Sequence, residues 1–366
     1  MTTHLRMQIS CAIGAAWLLL AAARPALAWG DKAHLLITDE AVQRLPQPLR
    51  ALFAPDGNLR LLRDKSLAAD RRAAALKEKA NEGKAQADAW QADRSRHFFD
   101  IDDEALGGMP YPFKDFPRQR AAAEKQFGAA AFAKCGSAPW VAADAYAALA
   151  EALEKGRNDA FFDAAGDLAH FAADIHQPFH VTKNYNGKDT GNGGIHEMLE
   201  IGLVNRYPDF YAAEVQKARH EVIYIDNVQD PLFDWLIEAY GRVDPILAAD
   251  AAARKKTGYV PPEKKEDYDN ELDDVNSQRA KPYYAALKAE LEARGSPEAL
   301  AMRDSAAHLA QLFYSAWVRA GKPLSLTPPP AAAEKPADTQ GFPFWLIGLG
   351  LAMLVFLFLP RRAPKQ

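Results

Sequence analysis

Residues 159–176 carry two stripes at helical spacing, and one helix must send them in different directions. Phe161, Ala165, Leu168, Ala172 and Ile175 form an apolar stripe. Asp163, Asp167, His170 and Asp174 form a polar one, at spacings of 4, 3 and 4. Pro178 then disrupts the helix, so His180 leaves on a new heading. After the glycine-rich run 184–194, His196 and Glu200 repeat the four-residue pairing of His170 and Asp174. Residues four apart on a helix face the same way, so each pair can offer one imidazole and one carboxylate to a single cation. Histidine is scarce, nine in 366 residues, yet His170, His176, His180 and His196 fall within 27 residues. Such mixed imidazole–carboxylate sets suit zinc or a similar borderline metal. His176 points away from His170 and Asp174 on its helix and reads as a support behind the ligands or as structural. His220 and His308 have no carboxylate at ligand spacing and read as surface or core residues. Asn192, in the loop, reads as turn chemistry rather than a substrate contact.

The remaining chain predicts an all-α fold. Helical patterns cover 34–54, 66–90, 141–155, 197–216, 230–250, 280–294 and 297–319, and period-two alternation is almost absent. Residues 104–118 and 184–194 read as loops, and the charged stretch 254–276 as a solvated excursion. No internal repeat is present. One multi-helix domain spanning 29–322 is expected.

The flanks read differently. Residues 1–28 have the form of a secretory leader: Arg6, the apolar run Ala12 to Ala23, then Ala26-Leu27-Ala28 as a cleavage site. Cleavage there makes Trp29 the first residue. Residues 323–340 form a Pro/Ala-rich spacer. Gly341 to Leu359 contains no charge; at ~1.5 Å per residue it spans roughly 28 Å, enough to cross a bilayer. A transmembrane helix is therefore expected over 341–360, with a cytoplasmic tail at 361–366 fixed by Arg361, Arg362 and Lys365. The domain would be exported, on the periplasmic or extracellular side of the cell membrane. Five of the 44 basic residues lie outside 29–340 and none of the 48 acids does, which leaves that part at −9. Such a surface does not attract polyanions broadly, so any phosphate affinity must be local. Cys11 falls in the leader, leaving Cys135 with no partner for an intramolecular disulfide.

The string from Asp167 to His180, DLAHFAADIHQPFH, resembles the central motif of the trinuclear-zinc phosphoesterases. These are the zinc-dependent phospholipases C and the single-strand-specific zinc nucleases. Trp29-Gly30 with His34, the segment His97-Phe98-Phe99-Asp100-Ile101-Asp102, and Pro139-Trp140 follow in the matching order, so the resemblance spans about 29–320. It implies three zinc ions. The first would be held by His97, His170, Asp174 and one more aspartate, assigned to Asp88 with Asp93 as the fallback. The second would be held by His180, His196 and Glu200. The third would be held by the α-amine and carbonyl of Trp29, by His34 and by a shared Asp174.

A cluster of this kind supports phosphoester hydrolysis, with Asp88 or Asp93 orienting or deprotonating the attacking water. A phospholipase C-like activity on phospholipid headgroups is the first expectation. The second-site pair is His-x-x-x-Glu, no disulfides are present, and a membrane anchor would hold the site near lipid. A single-strand-specific nuclease or nucleotidase, with nucleic acid as substrate, is the alternative within the same resemblance. A non-catalytic zinc-binding membrane module is the alternative of another class; it would have closed metal sites without an open position.

Overall fold

Burial of one helix on nearly every side organises the protein. The computed structural model describes residues 29–54, 57–217 and 221–326, all within one compact unit. The leader 1–28, spacer residues 327–340, the apolar segment 341–360, the tail 361–366 and His220 lie outside the described residues. Among the described residues no helix is long and apolar enough to cross a membrane.

The chain begins with α1 (Asp31–Arg44), α2 (Asn58–Ser66), α3 (Ala68–Lys79) and α4 (Lys84–Arg94). The antiparallel pair α5 (Ala138–Glu154) and α6 (Asn158–Asp174) follows. Helix α7 is built from Ile195–Glu197 and Val204–Arg206 on either side of a π turn, Met198–Leu203. Then come α8 (Pro208–Gln216), α9 (Gln229–Tyr240), α10 (Val243–Thr257), α11 (Lys265–Asp273), α12 (Lys281–Glu292) and α13 (Pro297–Arg319). No β-strand forms among the described residues; one isolated bridge joins Phe99 and Gly136. The all-α expectation therefore holds for the described part.

Helix α6 packs against α5, α2, α13 and α1, which together cover most of its circumference. Its polar stripe runs from the surface into this core. Asp163 is exposed and pairs with Lys65, whereas His170 and Asp174, two and three turns on, are fully buried. Gly166 permits the closest approach. A Cβ there would lie 2.4 Å from Lys65 Cβ and 2.6 Å from its carbonyl carbon, on α2. Gly166→Ala is expected to cost about 1–3 kcal/mol by overpacking. A drop in urea midpoint at unchanged slope would show it; an unchanged midpoint would refute the close contact.

Several expected elements are divided in the structure. The 34–54 helix stops at Arg44 ahead of Pro46, and 66–90 breaks at Ala80–Gly83 into α3 and α4. Asn58–Ser66 is helical though too short to stand out as periodic. The 254–276 stretch is not wholly an excursion: α11 lies in it, and Tyr268, Glu271 and Leu272 are buried.

One buried acid in this scaffold lies away from the histidines. Glu298, at the start of α13, is 1% exposed and accepts from Tyr211 Oη at 3.3 Å, while its Oε2 has no hydrogen bond. Burial pushes its carboxyl up to about 7, from an ordinary value of 4.5. Between those two values the unfolded chain has released this proton and the native protein has not. Stability therefore falls as pH rises through the window, by about 3 kcal/mol (2.5 units at 1.36 each), and levels off above it. Glu298→Gln is expected to remove that component, raising the melting temperature at pH 8 and leaving it nearly unchanged at pH 4. An equal shift at both pH values would exclude this account.

Candidate metal centre

Local backbone chemistry sets two of the imidazoles before any ligand is considered. The Ser66 carbonyl at the end of α2 accepts from His170 Nδ1 at 2.9 Å, which leaves His170 Nε2 facing inward. The His97 carbonyl accepts from His180 Nδ1 at 2.7 Å, which likewise frees His180 Nε2. The chain turn after α6 is made by Gln177. Its side-chain oxygen accepts from Phe179 N at 2.6 Å, and its amide donates to Glu200 Oε2 at 3.0 Å. The segment carrying His97 is locked by Phe99 N donating to His180 O at 2.8 Å and by the bridge to Gly136. Gly136 has φ +87°, and a Cβ there would lie 2.0 Å from Phe98 O, so only glycine fits.

Two groups of inward-facing atoms result. In the first, His170 Nε2 and His97 Nδ1 are 3.0 Å apart. Asp174 Oδ2 lies 3.3 Å from the former and 3.2 Å from the latter. Asp70 Oδ1, from α3, lies 3.6 Å from both. Ligand bonds of 2.0–2.1 Å in a tetrahedron put neighbouring ligands about 3.3 Å apart, so these separations, which also allow hydrogen bonds, are compatible with a shared cation. In the second group, His180 Nε2 and His196 Nε2 are 3.0 Å apart, and Glu200 Oε2 is 3.0 Å from His196 and 4.0 Å from His180. His34, His170 and Asp174 also converge. His34 Nε2 is 3.6 Å from Asp174 Oδ1, and the His34 ring stacks on that of His170 at 4.4 Å. Trp29 is fully buried beside this third group, its indole donating to Ala173 O at 3.1 Å. Gly30 packs against Glu200 O.

The unsatisfied atoms point the same way. Both nitrogens of His34, His97 Nε2, Asp70 Oδ1, Asp174 Oδ1 and Glu200 Oε1 are buried without a hydrogen bond. Buried polar groups rarely lack a partner, and six orphans in one cluster call for a ligand. Their proton affinities are correspondingly displaced. Burial pushes Asp70 up to about 8, with Asp174 and Glu200 adding and His170 opposing. Burial and the neighbouring histidines hold His34 well below its usual range, and burial pulls His180 down to about 3. Burial opposes protonation of His170 as well, but Asp174 and Asp70 outweigh it and push His170 up to about 9. The same contacts hold Asp174 well below the usual carboxylate range despite its burial. A set of donors this crowded and this dry fits divalent cations, which neutralise the acids and use the free imidazole lone pairs together. These buried histidine–carboxylate groups can hold metal ions.

His34, His97, His170, Asp174, His180, His196 and Glu200 are thus brought together, with Trp29 alongside. Asp88 is not. Its side chain is 62% exposed on α4 and pairs with Lys84 one turn earlier, at 2.5 Å. Asp93, the fallback, faces Arg72 at 2.8 Å and Arg96 at 3.4 Å, so its charge is already compensated. The aspartate of the first group is Asp70. The readable signal was its place beside the buried Ala69 and one turn before the buried Ala73, an acid on an apolar face. Gln177 was missed too. His176 does turn away: its Nδ1 donates to Ala172 O, and its Nε2 meets His308 Nδ1 at 2.8 Å, where His308 stacks on Trp235. Asn192 opens the turn expected for it, with Ile195 N donating to its carbonyl at 3.0 Å. It is buried, and its amide donates to Asp250 Oδ2 at 2.7 Å, bracing the loop before His196 together with Arg254.

A cavity of about 220 Å³ opens over both groups, lined by His97, His180 and His196 together with Arg94, Phe98, Asp100, Phe179, Tyr185, Asn186 and Glu197. No protein-family model matches this chain, and no curated protein matches it.

Proposed function

We propose that this chain is a zinc-dependent phosphodiester hydrolase on the plan of the phospholipases C and single-strand nucleases it resembles, exported and held at the membrane by its C-terminal segment. One observation carries the reading. Two convergent ligand groups share Asp174 as a close neighbour and open onto a single cavity through His97, His180 and His196. That opening is unlike the closed shell of a purely structural metal site. Bound there, divalent ions offset charge on phosphate oxygens and bring the pKa of water near neutrality.

The remaining work falls to the chain's own groups. Asp174 sets its two oxygens toward different histidines and fixes the spacing between groups. The Ser66 and His97 carbonyls accept from Nδ1 and so turn Nε2 of His170 and His180 inward as the ligand atoms. His170, which burial opposes but Asp174 and Asp70 push up to about 9, would give up its Nε2 proton when a cation binds. Asp70, whose side chain remains 19% exposed, takes the role assigned from sequence to Asp88: with the buried Oδ1 turned to the histidines, its Oδ2 is the oxygen left to orient the attacking water and accept its proton. Trp29 and His34 complete a third position, with Trp29 contributing its α-amine once the leader is removed.

Phospholipid is the first substrate reading, from the His196–Glu200 pair and the membrane segment. A specific feature favours a second. Phe98 and Tyr185 present rings to the cavity beside Asp100, whose carboxyl burial pushes up to about 8. A ring face and a protonated carboxyl suit a nucleobase, which stacks and accepts a hydrogen bond at its edge.

The exported protein is expected to carry about three zinc ions per chain by elemental analysis. It should release phosphorylated headgroup from phospholipid, or cleave single-stranded DNA, with loss of activity on chelation. Zinc-free protein, or zinc-loaded protein inert toward both substrates, overturns the reading. Retaining Ala28 ahead of Trp29 is expected to cost about one of these ions, because an amide nitrogen cannot replace an amine as ligand. Unchanged zinc content in that form would remove Trp29 from the ligand set.

A further inference from the structure

The cavity wall beyond the metal groups carries a cation outside any ion pair. Arg94, at the end of α4, lines the cavity, and its guanidinium carbon lies 4.9 Å from the Phe98 ring centroid. This stacking holds the group in place while leaving its N–H donors unused. No carboxylate is within ion-pair reach of Arg94 among the described residues. The acids nearby do not supply one. Glu197 pairs with Lys265 at 3.1 Å, and Asp100 forms no ion pair with Arg94; burial pushes its carboxyl up while Arg94 draws it down. Asn186 stands on the same wall. Its side-chain oxygen accepts from Gly194 N at 3.1 Å, so its NH2 is the group left to donate. The wall therefore offers an unpaired guanidinium and an amide donor, in a domain that is otherwise acidic.

We propose that Arg94, with the Asn186 amide, forms a subsite for a second phosphate of the substrate, beside the groups that hold the scissile one. The proposal rests on the phosphoester reading above and sharpens its substrate class. A phosphate carries only acceptors and matches a guanidinium through paired, charge-assisted hydrogen bonds. A quaternary ammonium headgroup would meet Arg94 as a like charge, so choline-type substrates are disfavoured. A multiply phosphorylated lipid headgroup and a nucleotide chain both supply the second phosphate.

Calorimetric titration of the zinc-loaded protein tests this with two pairs of product-like probes. One pair is thymidine monophosphate and thymidine bisphosphate; the other is inositol monophosphate and inositol bisphosphate. In at least one pair the bisphosphate is expected to bind about tenfold or more tightly than the monophosphate. The pair showing this preference identifies the source. Arg94→Ala should bring the ratio near one, and Arg94→Lys, which keeps the charge without the fork, should retain part of it. No bisphosphate preference in either pair, or a preference that survives Arg94→Ala, overturns the subsite. Hydrolysis of diesters without such a preference would defeat the subsite alone. The preference without any hydrolysis would defeat the hydrolase reading alone.

Discussion

Asp174→Asn is expected to strip more than one metal ion from the protein and to lower turnover by about 10³-fold or more, several kcal/mol of lost transition-state stabilisation. The side chain is fully buried, so water cannot take over its role. Its Oδ2 lies 3.2 Å from His97 Nδ1 and 3.3 Å from His170 Nε2. Its Oδ1 faces His34 at 3.6 Å and His180 at 3.9 Å. Asparagine keeps the shape but removes the charge and replaces one acceptor with a donor, aimed at nitrogens that need none. Because metal binding is coupled to folding, the variant should also lose the stabilisation that metal confers. Elemental analysis and melting curves with and without chelator check both parts. Wild type should melt lower with chelator, and Asp174→Asn should be nearly indifferent to it. A variant with full zinc and full turnover would remove Asp174 from the centre of the site.

What could be read from the sequence follows from how far apart the cooperating residues lie. His170 with Asp174, and His196 with Glu200, are neighbours on their own helices, so spacing alone pairs them. His34 and His97 came only from the resemblance, since nothing local ties them to α6. Their placement depends on α1 packing along α6 and on the lock between Phe99 and His180. The helix boundaries that were missed have plain causes. Gly83 interrupts a run of good helix formers that the composition of 66–90 had joined, and Asn58–Ser66 gains its order from α6 rather than from its own pattern. Asn192 and Asp250 are 58 residues apart, and their buried bond has no trace in either neighbourhood. The flanking segments, by contrast, are read from composition alone, and they fall outside the described residues.

The correction at the first group yields the second large prediction. Asp70→Asn should lose one metal ion and lower turnover by at least about 100-fold, while Asp88→Asn should change neither. Asp70 lies 27 residues before His97 on a different helix, and Asp88 only nine. Proximity in sequence favoured Asp88, but α4 turns that residue outward to Lys84. Asp70 Oδ1 is instead dry, without a hydrogen bond, and equidistant at 3.6 Å from His97 and His170. Metal-free, an acid so placed resists ionisation, which is why burial pushes it up to about 8. A cation supplies the missing compensation, so its loss with the carboxylate should be selective for the first group. Asp93→Asn separates this from a merely structural effect. It releases Arg72, two residues from Asp70 on α3, and should lower stability while leaving most of the zinc in place. Zinc counts, turnover and melting temperature on the three variants decide the matter. If Asp88→Asn loses the ion and Asp70→Asn does not, the first group is assembled differently from the arrangement described here.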